Sequence, residues 1–143
     1  MGGEFMPIGE VEGTLLHVIG LFHLEDDGQN FTYANDLTVL FRDAAGNAVV
    51  QIGGWTSQGN PEVHLQWEYG NTWYEGTEGG GDIDVNFDVT GLTMHLGNGY
   101  NNGGLGIWSG DILLTGINFT EVPAPGALAL LGVAGLVARR RRK

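Results

Sequence analysis

The chain has 143 residues, with 17 acidic residues against six Lys and Arg, 26 glycines and no cysteine. Five of the six cations are the last five residues, so the body carries Arg42 alone and a charge near −16, which repels nucleic acid and anionic headgroups. The missing thiols exclude a disulfide framework and thiol chemistry.

Residues 1–10 contain no basic-then-apolar export peptide. They are expected to be a disordered leader or a cloning remnant, with an export signal lost upstream. Residues 11–120 are expected to form one acidic β domain, since about 110 residues suffice for a core. Val11 to Leu24 is largely apolar on both parities, with Leu16, Val18, Phe22 and Leu24 on one and His17, Ile19, Leu21 and His23 on the other. That predicts a central strand, or a strand pair broken at Gly20. Glu25 to Asn30 is a polar loop in which Glu25, Asp26, Asp27 and Asn30 form a minor cluster of oxygens.

Asp36–Arg42 and Ala48–Trp55 read as a hairpin, because Gly46 and Asn47 in the connection tolerate positive φ. Val63 to Tyr69 alternates, with Val63, Leu65, Trp67 and Tyr69 predicted to face one way. Thr72–Thr77 is a further short segment before the flexible Glu78–Gly81. Asp82 to Val89 alternates more strictly: Ile83, Val85, Phe87 and Val89 face the core, and Asp82, Asp84, Asn86 and Asp88 face away. Leu92, Met94 and Leu96 follow as an inward set. Asn98–Gly104 is a long turn, and Leu105–Trp108 and Asp111–Phe119 are the last strands, separated at Ser109-Gly110. Short strands at about ten-residue spacing, with no helical period, predict an all-β antiparallel β-sandwich, jelly-roll or lectin-like first and immunoglobulin-like second.

The face Asp82, Asp84, Asn86, Asp88 has two readings. Carboxylates about 7 Å apart on one face repel, and calcium, which takes oxygen ligands, would neutralise them. Alternatively the acids are solvated and keep an edge strand from pairing. Calcium is the one cofactor these residues suggest. Trp73, Tyr74, Tyr100, Asn101 and Asn102 are the candidate glycan contacts, rings for a sugar face and amides for its hydroxyls. Trp55, Trp67 and Trp108 complete the aromatic set, with Trp67 expected in the core. His17, His23, His64 and His95 show no ligand spacing. No nucleophile motif and no phosphate loop are present. Glu62, Glu68, Glu75 and Glu78 supply no more carboxylates than any acidic surface, so no enzyme is expected.

The last segment, 121–143, has three parts: Val122-Pro123-Ala124-Pro125, an apolar run over 126–138, and Arg139-Arg140-Arg141-Arg142-Lys143. The prolines end the preceding strand. Val122 to Ala138 is 17 residues, roughly 25 Å as a helix, the short end of what spans a bilayer, and the arginines can snorkel to extend it. A transmembrane helix is therefore expected over 126–138. The basic cluster would stay cytoplasmic, which puts the domain outside.

Motif, apolar run with Leu130-Leu131-Gly132, basic end and terminal position together resemble the PEP-CTERM sorting signal of exopolysaccharide-producing Gram-negative bacteria. Ala124 stands where that family carries Glu. The resemblance covers about a sixth of the chain and implies an exosortase as partner, transient anchoring in the inner membrane, and delivery to the envelope, outer surface or matrix, where polysaccharide is a further partner. The expected role is structural or adhesive; the alternative is a calcium-assisted carbohydrate-binding module.

Overall fold

The computed structural model describes residues 5–26, 32–70, 78–100 and 106–121. The described residues are all-β. They form β1 (Phe5–Asp26), β2 (Leu37–Arg42), β3 (Ala48–Ile52), β4 (Val63–Leu65), β5 (Glu78–Asp88), β6 (Thr93–Asn98) and β7 (Ile107–Glu121), with a single 3₁₀ turn at Ala34–Asp36.

The sheet is organised by β1. At ~3.3 Å per residue a straight strand of this length would reach roughly 70 Å, far more than one small domain can pair. It curves instead and changes neighbours. Phe5–Glu10 pairs with β6, and Thr14–His23 pairs with β5. Along its other edge β7 pairs from Gly9↔Glu121 to Asp26↔Ile107. The change of neighbour coincides with ladder irregularities: three residues of β1 stand between Gly13↔Ile117 and His17↔Thr115, where β7 has only Gly116. Extra residues on one strand bend it and increase its twist.

The strand order is β4-β3-β2-β6-β1-β5, antiparallel except for the parallel pair β3–β4. Beyond β5 the sheet nearly closes on itself. Tyr69, just past β4, bridges to Gly80 of β5, and the Glu68 and Tyr69 N–H groups both donate to the Gly80 carbonyl at 2.8 and 3.0 Å. Gly80 itself has φ +124°, and a Cβ there would strike the Gly20 carbonyl of β1. No side chain fits at that junction, so glycine is what allows three backbones to meet.

One core fills the curl. β1 supplies Ile8, Val11, Leu15, Val18, Phe22 and Leu24, and β2, β3, β6 and β7 add Phe41, Ile52, Leu96 and Ile112 among others. Trp67 is buried as expected; its ring meets Phe22 edge-on at 5.1 Å, and its Nε1 donates to the Leu37 carbonyl at 2.7 Å. What ties residues 53–58 to the end of β3 is the buried Gln51 amide, which donates to the carbonyls of Gly53 and Thr56 and accepts from Gln58 N–H.

Four sequence expectations change. Residues 5–10, read as a leader, are the first part of β1: Phe5, Met6 and Pro7 pair with Gly97, Leu96 and His95 of β6, and Ile8 is buried in the core. The strands expected to be antiparallel throughout include one parallel pair, β3–β4, in a mixed sheet. Regular pairing of the 63–69 segment ends at Leu65. The chain then crosses toward β5, so Tyr69 is 63% exposed while Trp67 is buried. The two final strands are one, β7, since Ser109-Gly110 stays in the ladder opposite Phe22 and His23. The 72–77 segment, residues 1–4 and the whole tail from Val122 to Lys143 lie outside the described residues, as do Asp27 and Asn30. Among the described residues no helix is long and apolar enough to cross a membrane.

Candidate functional site

On β5 the alternation holds: Asp82, Asp84, Asn86 and Asp88 are exposed, and Ile83 and Val89 are buried. The four polar residues are not equivalent, however. Asn86 sits at φ 54°, inside a bulge that puts an extra residue of β5 between Leu15↔Phe87 and His17↔Asp84. Asp88 lies beyond the bulge and accepts the Thr90 N–H, a bond that holds its carboxyl below the usual range. Upstream of the bulge, pairing with β1 sets His17 against Asp84. The His17 Nδ1 is 3.0 Å from an oxygen of both Asp82 and Asp84. Among the described residues, the group of metal-capable side chains with ligand atoms within 4.8 Å of one another is His17, Asp82 and Asp84.

One imidazole nitrogen with two carboxylate oxygens is a donor set for a borderline divalent ion such as zinc, whereas calcium prefers oxygen throughout. The same three groups also satisfy one another as an ion pair when the imidazole is protonated. His17 is 65 residues from Asp82 in the chain, so no spacing rule could join them; only the β1–β5 register does. The Asp82 N–H is further bonded to Glu68 Oε1 at 2.8 Å. A second histidine on the same strand, His23, lies 3.4 Å from Glu25, whose other oxygen accepts from the Ser109 hydroxyl.

A different site forms where the 3₁₀ turn meets the loop after β3. Tyr33, Asn35, Asp36, Gly54, Trp55 and Gln66 line a pocket of about 240 Å³. Three backbone bonds and one from an indole tie this turn and loop to their neighbours. Asn35 N–H donates to Gly70 O, Gly54 N–H to Asn35 O, Gly99 N–H to Asp36 O, and Trp108 Nε1 to Ala34 O. Trp55 N–H reaches Gly99 O at 3.3 Å, while its side chain is 71% exposed. Asp36 is only 3% exposed and accepts the Tyr33 N–H at 2.8 Å. Burial raises its carboxyl to about 6, with the Tyr33 bond opposing in part.

In the sequence Asp36 stands at the start of a hairpin and Trp55 is one ring among several. The signal available was local: an acid and an amide beside Tyr33, and a Gly53-Gly54 pair ahead of Trp55. Of the residues expected to contact glycan, Tyr100 is half-buried and its N–H donates to Asn98 Oδ1. Trp73, Tyr74, Asn101 and Asn102 lie outside the described residues, as does Glu75. Gly70 and Gly99, which are described, are both bonded to the 3₁₀ turn, through Asn35 N–H and Asp36 O. His95 is half-buried, and that burial pushes its imidazole down. His64 bonds Gln66 at 3.2 Å. Comparison with protein-family models, with curated proteins and with solved structures finds no match for this chain.

Proposed function

We propose that the chain is an exported protein of the cell surface or extracellular matrix, a structural or adhesive β domain sorted through its PEP-CTERM-like segment 121–143. The observation that carries this reading is the division of charge and hydropathy: an acidic body, then Val122-Pro123-Ala124-Pro125, an uncharged run to Ala138, and Arg139 to Lys143. Two features of the domain support it. Its last described strand runs to Glu121, paired with Gly9, and the motif follows directly in sequence. The fold also uses Arg42 as the body's one Lys or Arg, leaving no basic face for nucleic acid or anionic lipid. The implied partners are an exosortase, the membrane through 126–138, and matrix polysaccharide.

The curled sheet is read as a jelly-roll or lectin-like sandwich, with β1 passing from one layer to the other where it exchanges β6 for β5. A second reading, the calcium-assisted carbohydrate module, would need Asp82 and Asp84 to hold calcium through oxygen alone, with the His17 nitrogen 3.0 Å from both left out of the ligand set.

Transplanting residues 121–143 onto an exported reporter tests the sorting role. In a host with an exosortase the reporter should lose the segment and reach the surface. In the same host without the enzyme it should stay in the inner membrane. Equal fates in both hosts would reduce the segment to a plain anchor.

A further inference from the structure

The pocket lined by Tyr33, Asn35, Asp36, Trp55 and Gln66 has properties that folding does not call for. An indole normally goes to the core, as Trp67 does here, yet Trp55 is 71% exposed at the rim. An exposed indole offers an electron-rich face to polarised C–H groups. Asp36 is the other anomaly. Its visible structural task is to accept the Tyr33 N–H, which an asparagine oxygen would do without burying a charge. A buried carboxylate with a raised pKa in a cleft marks a group retained for a ligand. Gln66 and Asn35 add amides on the same lining. The hydrogen bonds that anchor Asn35, Asp36 and Gly54 hold these groups in place before any ligand arrives, so little ordering is spent on binding.

The ligand class follows from shape and charge. At about 240 Å³ the cavity is below the roughly 300–1,000 Å³ of sites for drug-sized molecules, so it takes one ring rather than a buried chain. A ring with a C–H face for an indole and hydroxyls for a carboxylate and amides is a pyranose. A body near −16 disfavours uronic or sulfated sugars.

We infer that this pocket binds a single neutral pyranose unit of a glycan, stacked on Trp55 and hydrogen-bonded through Asp36 and Gln66, without a metal ion. The inference supplies a ligand for the adhesive role and rests on that reading only for where the sugar is met. Binding in solution is measured apart from sorting, so either can fail alone.

The test is an array of neutral oligosaccharides probed with the purified full chain in a non-glycosidic detergent, followed by titration calorimetry of any hit. Trp55→Ala, Gln66→Ala and Asp36→Asn are run alongside, with circular dichroism to show that each is folded. Expected is binding of at least one neutral sugar that survives EDTA and weakens about tenfold in Trp55→Ala. Asp36→Asn or Gln66→Ala should weaken it further than their unchanged spectra would suggest. No binding at millimolar sugar, binding untouched by Trp55→Ala, or binding abolished by EDTA would each overturn the inference.

Discussion

Replacing Asp36 by Asn probes the pocket through stability alone. The buried carboxyl titrates near 6 in the folded chain against an ordinary value of 3.8. A raised folded pKa means that the native state binds the extra proton between those values. Stability contributed by the protonated form is then lost as pH rises from about 4 through about 6, and the loss levels off above that. Roughly two units at 1.36 kcal/mol each give at most about 3 kcal/mol. Asn keeps an acceptor for the Tyr33 N–H, so the substitution removes the charge and little else. Urea unfolding of both chains from pH 4 to pH 7.5 isolates the effect, because every other titrating group is common to the two. Asp36→Asn should match the wild type near pH 4 and exceed it increasingly toward neutrality, by up to about 3 kcal/mol. Parallel curves, or a variant that is the weaker one at neutral pH, would refute the claim that Asp36 carries a buried charge.

Other outcomes follow from the same geometry. Gly80→Ala forces a methyl against the Gly20 carbonyl at φ +124° and should cost about 3 kcal/mol or more. Gly46→Ala, with positive φ but open space around it, should cost only about 1 kcal/mol; equal urea midpoints would contradict this. Gln51→Leu strips partners from Gly53, Thr56 and Gln58 and should cost about 2 kcal/mol, with faster amide exchange confined to residues 53–58. Zinc added to the chain should raise its melting temperature, and His17→Gln should abolish the rise. Stabilisation by calcium that persists in His17→Gln would assign the acidic face to an all-oxygen set instead.

The legible parts of this fold were those decided by neighbours in sequence. In the β2–β3 connection Gly46 takes the positive φ expected of it, whereas Asn47 does not; its N–H and that of Ala45 donate to the Asp43 side chain instead. The strict alternation from Asp82 to Val89 likewise reflects a sheet with one wet face. What could not be read was set by distant pairings. Ser109-Gly110 looks like a turn locally, but β1 lies opposite and keeps it extended. Pro7 and Gly9 argue against a strand, yet they fall at the register shift against β6, where a ladder bond is dispensable. The bulge at Asn86 separates Asp88 from Asp84 with no mark in composition. His17 joins the two aspartates, and Asp36 becomes buried, only after the sheet has curled and segments ending at Gly54, Gly70 and Gly99 have converged on one turn.

The central claim concerns where the protein goes and what happens to its end. The decisive measurement is the intact mass of the native protein recovered from each fraction of the cells that make it. The account predicts a surface or matrix species lacking the arginine-rich terminus, the cut lying near Val122–Pro125. A soluble cytosolic species whose mass includes every residue through Lys143 would contradict it.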